Sequence, residues 1–240
     1  MSLMVNEFNM EDPKIIVALD FDNQLDVEKL LAKIDPSQCR VKVGKELFTL
    51  MGPKIVEIIQ NLGFQIFLDL KFHDIPITVK KACKAAAGLG VWMLNVHALG
   101  GRDMLLAAKE GVVEAGSDAK LIAVTILTSS SVEDIHSIGL VGTVEENVLR
   151  LAAHARDAEL DGVVCSAREA KIIRNIANES FSLVTPGIRP AGALLNDQKR
   201  VLTPKEAIES GANYLVVGRP ITTARDPQQV IVSINTELMD

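Results

Sequence analysis

The sequence predicts an α/β fold, specifically a (β/α)8 TIM barrel in a single domain. Three observations predict it. Eight short aliphatic runs recur along the chain, stretches with helical spacing separate them, and the 240 residues approach the roughly 250 that such a barrel uses. A doubly wound open sheet is the alternative for the same alternation. No Pro/Gly/Ser-rich linker divides the chain, so residues 13–240 read as one domain behind an N-terminal arm of residues 1–12. Met1-Ser2-Leu3-Met4 is read as a candidate addition ahead of the natural start.

In chain order, the expected strands are Ile15–Leu19, Arg40–Val43, Gln65–Leu70, Trp92–Val96, Leu121–Leu127, Gly162–Cys165, Ser182–Val184 and Tyr214–Val217. Each is short and β-branched or aliphatic. Aromatic residues make up only 4% of the chain, so Val, Ile, Leu and Ala must fill the core. That bias suits parallel strands buried on both faces. Between strands two and three, Leu47, Leu50, Met51, Ile55, Ile58, Ile59 and Leu62 form an apolar helical stripe. Between strands five and six, Val144, Val148, Leu151, Ala152 and Ala155 do the same. Thr203-Pro204-Lys205-Glu206 combines a capping hydroxyl, a proline at the first helical position and an acid at the third. Asp226-Pro227 repeats the cap-and-proline device. Two long gaps, Thr128 to Glu145 and Gly187 to Val201, have the length of functional lids or binding loops.

Composition narrows the function. A net charge of −6 argues against nucleic-acid or membrane-surface partners, because an acidic surface attracts neither anion. One phosphorylated small molecule remains compatible, since a local pocket can be basic. Cys39, Cys83 and Cys165 are odd in number and lack a C-x-x-C pair, which suits a reducing cytoplasm and a packing role. No run approaches eighteen apolar residues.

Barrel active sites lie at the carboxyl ends of the strands. Here strand one ends in Asp20, strand two carries Lys42, and strand three carries Asp69 and Lys71. Strand four ends in Asn95 and His97, strand five in Thr128, and strand eight in Gly218-Arg219. Residues two apart share a strand face, so Asp69 and Lys71 point one way and Leu70 the other. A structural ion pair is the bland reading. Four charges converging on one mouth favour a site, because burying them is otherwise costly. His73 and His97 show no zinc-ligand spacing and read as supporting residues; His136 and His154 receive no role. Strand seven runs into Thr185-Pro186-Gly187-Ile188-Arg189-Pro190, and strand eight into Val217-Gly218-Arg219-Pro220. A glycine for close approach and an arginine for bidentate contact after these two strands suggest a phosphate site.

The segment Phe67-Leu68-Asp69-Leu70-Lys71-Phe72-His73-Asp74-Ile75-Pro76-Ile77-Thr78 resembles the signature of the orotidine 5′-phosphate decarboxylase family, bacterial branch. Collinear with it are Ala18-Leu19-Asp20, Val41-Lys42-Val43-Gly44, Asn95-Val96-His97, Leu127-Thr128-Ser129, Asp197-Gln198 and the two Gly/Arg/Pro turns. Ile77 departs from the polar residue frequent there. The resemblance implies conversion of orotidine 5′-phosphate (OMP) to UMP and CO2, without a cofactor or metal, as the last step of de novo pyrimidine synthesis. It implies that Lys71, Asp69, Lys42 and Asp74 are catalytic. Asp20 and Lys42 would then hold the ribose, Asp69 would face the substrate carboxylate, and Thr128 would contact the pyrimidine. Arg189, Gln198, Gly218 and Arg219 would hold the phosphate, with Gln198 on a closing loop. Asp74 and Thr78 would reach into a partner's site, making a homodimer.

The chemistry fits those residue types. Loss of CO2 leaves a C6 carbanion in the ring plane, which the π system cannot delocalise. A cation fixed beside C6 must stabilise it, and Lys71 can then donate the proton. Asp69 about 4 Å from the substrate carboxylate would add roughly 4 kcal/mol of repulsion at an effective dielectric near 20. Enzymes supply about 8–23 kcal/mol, so Lys71 and remote phosphate binding must contribute most. The alternative is a Mg²⁺-dependent sugar-phosphate decarboxylase or aldolase of a related barrel, which shares the D-x-K-x-x-D spacing. A non-catalytic nucleotide-sensing barrel would be expected to have lost Asp69 or Lys71, and both are present.

Overall fold

Eight parallel strands close into a barrel in the order β1 to β8, with β8 hydrogen-bonded back to β1. The computed structural model describes residues 12–190 and 202–239. The first half runs β1 (Ile15–Leu19), α1 (Gln24–Leu31), β2 (Arg40–Gly44), α2 (Lys45–Met51), α3 (Lys54–Asn61), β3 (Ile66–Phe72), α4 (Pro76–Ala87), β4 (Met93–His97) and α5 (Gly101–Glu114). The second half runs β5 (Lys120–Val124), α6 (Val132–Ser137), α7 (Val144–Asp157), β6 (Gly162–Val164), α8 (Ala167–Arg174), β7 (Ser182–Thr185), α9 (Pro204–Glu209), β8 (Tyr214–Val217), α10 (Arg219–Thr222) and α11 (Pro227–Glu237). The open-sheet alternative is therefore excluded.

Strand alternation divides the core in two. Ile15, Val17, Leu19, Val41, Val43, Leu68, Leu94, Val96, Leu121, Ala123, Leu183 and Leu215 face outward into the helix layer. Their neighbours Ile16, Ala18, Phe67, Met93, Ile122, Val184, Tyr214 and Val216 fill the barrel interior. Each strand is buried on both faces, which explains why the runs read as continuous aliphatic segments.

Some elements differ from expectation. The stripe from Leu47 to Leu62 belongs to two helices, because Gly52 adopts φ +60° and Pro53 restarts the chain. Proline has no N–H to continue a helix, and glycine enters the left-handed region without a Cβ penalty. Leu50 and Leu62 consequently face solvent. Strand five stops at Val124, so Thr128 lies four residues beyond it. The gap after Thr128 is not structureless, since Ser131 and Asp134 form a capping box that starts α6. The caps at Thr203 and Asp226 form as read, each followed by its proline.

The floor of the barrel holds a buried cation, Arg40, at the first position of β2. Arg40 Nε donates to Gln65 Oε1 at 2.7 Å, and Nη1 donates to Asp12 Oδ1 at 2.9 Å and to the Pro13 carbonyl. Its guanidinium lies 4.0 Å from the Trp92 ring centroid, and Trp92 meets Tyr214 edge-on at 5.0 Å. These are the chain's single tryptophan and single tyrosine. Burial, then the Asp12 carboxylate, pushes the Tyr214 hydroxyl up to about 12.

Candidate active site

At the opposite end, the interior positions become polar. Lys42 pairs in register with Phe67, and Gly44 with Asp69, so the two side chains enter the mouth from adjacent strands. Lys42 Nζ lies 3.2 Å from Asp20 Oδ1 and 3.4 Å from Asp69 Oδ2. Lys71 Nζ lies 2.6 Å from Asp69 Oδ1. The result is an alternating Asp20–Lys42–Asp69–Lys71 ladder with no net charge.

Asp69 is the buried centre of this ladder. Burial opposes its charge, but Lys42 and Lys71, with hydrogen bonds from Lys71 and Asn95, outweigh burial and hold its carboxyl below the ordinary value of 3.8. At an effective dielectric near 20, cations at 2.6 and 3.4 Å attract by about 6 and about 5 kcal/mol. Together they outweigh a desolvation cost of several kcal/mol.

Asp69 and Lys71 do share a face, although β3 is not a regular strand there. Leu68 pairs with Leu94 and Phe72 with Val96, so four residues of β3 advance against two of β4. A slip of two residues preserves the side-chain face. Lys71 absorbs it with φ +53°, in the left-handed region that non-glycine residues rarely occupy.

Asn95, fully buried on β4, spans this irregularity. Its Oδ1 accepts the Lys71 backbone N–H at 2.7 Å, and its Nδ2 donates to Asp69 Oδ1 at 2.7 Å. Asn95 is a strand-end residue in the sequence, with no site role evident from its position there. The available signal is an amide at an inward-facing position of a short strand whose preceding residues are apolar.

The mouth has two lobes. One is mainly apolar: Phe67, Val124, Ile126, Leu127, Val164, Pro186 and Val216 line it, with Lys71, Asp69, Thr128 and Ser129 at its edge. The other is lined by Arg189 and Arg219 with Gly187, Gly218 and Asp20. Lys42 belongs to both and marks the junction. The Gly187 turn has φ +80°, and Arg189 is buried with its N–H bonded to the Leu202 carbonyl.

Asp74 and Thr78 lie elsewhere. Both are exposed, and Asp74 Oδ1 accepts the Ile75 N–H at 2.6 Å at the approach to α4. Their neighbours Ile75 and Ile77 are 62% and 52% exposed. Of the four residues expected to be catalytic, Lys42, Asp69 and Lys71 come together within one chain, joined by Asp20, and Asp74 does not. Gln198 lies outside the described residues. His97 lines neither lobe; burial, then the nearby His73 and Lys71, lowers it to about 4. Its ring lies 5.7 Å from that of His73. No group of three or more His, Cys, Asp or Glu is placed to hold a metal among the described residues.

Comparison with known proteins gives a consistent answer. Residues 13–234 match the description of the orotidine 5′-phosphate decarboxylase / HUMPS family. An orotidine 5′-phosphate decarboxylase of Hydrogenovibrio crunogenus is 56% identical over 234 residues, covering 98% of this chain and 99% of that protein. The Nitrosococcus oceani protein of the same name is 56% identical over 229 residues, covering 95% and 99%. Among solved structures, orotidine 5′-phosphate decarboxylase from Lactobacillus acidophilus superposes with a TM-score of 0.85 at 43% identity, covering 95% of this chain and all of that one.

Proposed function

This chain belongs to the orotidine 5′-phosphate decarboxylase / HUMPS family, and from that membership we propose how its mouth converts OMP to UMP and CO2. It acts as a carboxy-lyase, and residues 13–240 form its decarboxylase domain. The observation that carries the residue assignment is the charge ladder at the junction of an apolar and an arginine-lined lobe.

The phosphate binds Arg189 and Arg219, with close backbone approach at Gly218 and closure by Gln198. The ribose hydroxyls meet Asp20 and Lys42 at the junction, and the pyrimidine enters the apolar lobe beside Thr128. That arrangement sets C6 near Lys71. The bond from C6 to the carboxylate breaks, its electron pair stays on C6, and CO2 leaves. The Lys71 ammonium stabilises that pair in a water-poor lobe and then transfers a proton to C6. Asp69 fixes Lys71 through the 2.6 Å contact. Phosphate binding in the second lobe contributes energy used at the first.

The working unit is a homodimer in which Asp74 and Thr78 enter the partner's site. Their exposure beside uncovered Ile75 and Ile77 supports this reading. A cytoplasmic location is consistent with three buried, unpaired cysteines and with the absence, among the described residues, of a helix long and apolar enough to cross a membrane.

The test is loss of OMP absorbance on adding purified protein in EDTA. Turnover is expected to persist, whereas the related Mg²⁺-dependent barrel chemistry would stop. Lys71→Ala should abolish turnover and keep UMP binding; retained turnover would overturn the role of Lys71.

A further inference from the structure

We infer that Asn95 is a positioning residue that fixes the reactive geometry of Lys71 and Asp69 together through the two ends of one amide. The inference rests on the decarboxylase reading and extends it to a residue that touches neither lobe.

The two-residue slip of β3 against β4 removes the regular ladder partner from the Lys71 N–H. A backbone N–H left unpaired in a buried strand is costly, as is a non-glycine residue at φ +53°. Asn95 Oδ1 accepts that N–H and so holds the bulged conformation. The same amide donates through Nδ2 to Asp69 Oδ1, the oxygen that also receives Lys71 Nζ at 2.6 Å. Main chain and ammonium of Lys71 are therefore referenced to one rigid group. Asn95 is fully buried and pairs in register with Ile122 on β5, so packing locks its own orientation.

Removing both bonds should move the ammonium rather than the substrate sites, because Arg189, Arg219, Asp20 and Thr128 lie on other strands and loops. A misplacement of about 1 Å can cost about 10²-fold in rate. Asn95→Leu is expected to lower kcat at least about 100-fold, with KM and UMP affinity within threefold of wild type. An Asn95→Leu protein that folds and keeps kcat within threefold, or loses kcat only together with nucleotide affinity, overturns the inference.

Asn95→Asp gives an independent reading if the leucine variant does not fold. An aspartate at this position reproduces the pattern only when protonated, one oxygen accepting from Lys71 N–H and the other donating to Asp69. Burial and the Asp69 charge both favour its protonated form. The ratio of variant to wild-type kcat should therefore rise as pH falls from 9 to 5. The titratable groups around the position are Asp69 and Lys71 on β3, Lys42 on β2 and His97 on β4; β5 contributes Ile122 and Val124. Burial and the neighbouring His73 and Lys71 lower His97, and its titration, common to both proteins, largely cancels in the ratio. A ratio that stays low at every pH, or that falls as pH falls, overturns the inference. Wild-type protein inactive on OMP would instead refute the decarboxylase reading, so the two failures are distinguishable.

Discussion

Replacing Lys42 with methionine keeps most of the side-chain volume and deletes one of the two cations beside Asp69. Lys42 Nζ stands 3.4 Å from Asp69 Oδ2, worth about 5 kcal/mol of attraction at an effective dielectric near 20. Asp69 can remain charged with Lys71 alone, or it can take a proton. For a carboxyl with an ordinary value of 3.8, protonation at pH 7 costs about 4 kcal/mol, at 1.36 kcal/mol per unit. Breaking a buried ion pair by removing one partner typically costs about 3–5 kcal/mol, so both routes point to a loss of that order near neutrality.

The sign of the pH dependence follows. In the native protein Asp69 is held below its unfolded value, so its contribution is present above about pH 4 and is lost as pH falls through the folded value. In Lys42→Met, burial is opposed by less positive charge, and the folded value moves up. The variant therefore recovers relative to wild type as pH falls through that raised value. Urea unfolding followed by Trp92 fluorescence measures the difference. A gap under about 1 kcal/mol at pH 8, against the 3–5 expected, would refute the reasoning, as would a gap that widens as pH falls from 8 to 5.

Other substitutions test other parts of the structure. A Cβ on Gly111 of α5 would lie 2.2 Å from the Lys80 carbonyl oxygen of α4, so Gly111→Ala should cost about 1–3 kcal/mol by overpacking; an unchanged Tm would contradict that contact. Glu159 has φ +58°, so Glu159→Gly should gain up to about 1 kcal/mol by relieving the Cβ penalty, read as a higher urea midpoint. Mixed Lys71→Ala and Asp74→Ala chains should regain part of the decarboxylase activity if sites are shared. No recovery despite hybrid dimers demonstrated by mass would count against sharing.

The barrel and the ladder were legible because both depend on side-chain alternation. Lys42, Asp69 and Lys71 interrupt aliphatic strands at positions whose neighbours must face the helices, so inward placement followed directly. What escaped depends on backbone detail. Nothing in the order Asp69-Leu70-Lys71-Phe72 announces a slip, and without the slip Asn95 has no N–H to capture. The break at Gly52-Pro53 was written in two strong turn residues, yet the apolar period of Leu47 to Leu62 runs through it. Arg40 was overlooked because a charged residue at the start of a strand ordinarily points to solvent, whereas here two aromatic rings and Asp12 receive it.

The slip between β3 and β4 also constrains how this segment can change length during evolution. Four residues advance against two, an even difference, and so Lys71 stays with Asp69 inside the barrel. Loss or gain of one residue between Leu68 and Phe72 would reverse the facing of everything after it and send the ammonium into the helix layer. Single-residue indels should therefore be lethal to catalysis here even where the barrel still folds. A two-residue deletion, which straightens the strand, would at least keep the surviving side chains on their proper sides. The spacing of the motif is then fixed by parity as much as by chemistry.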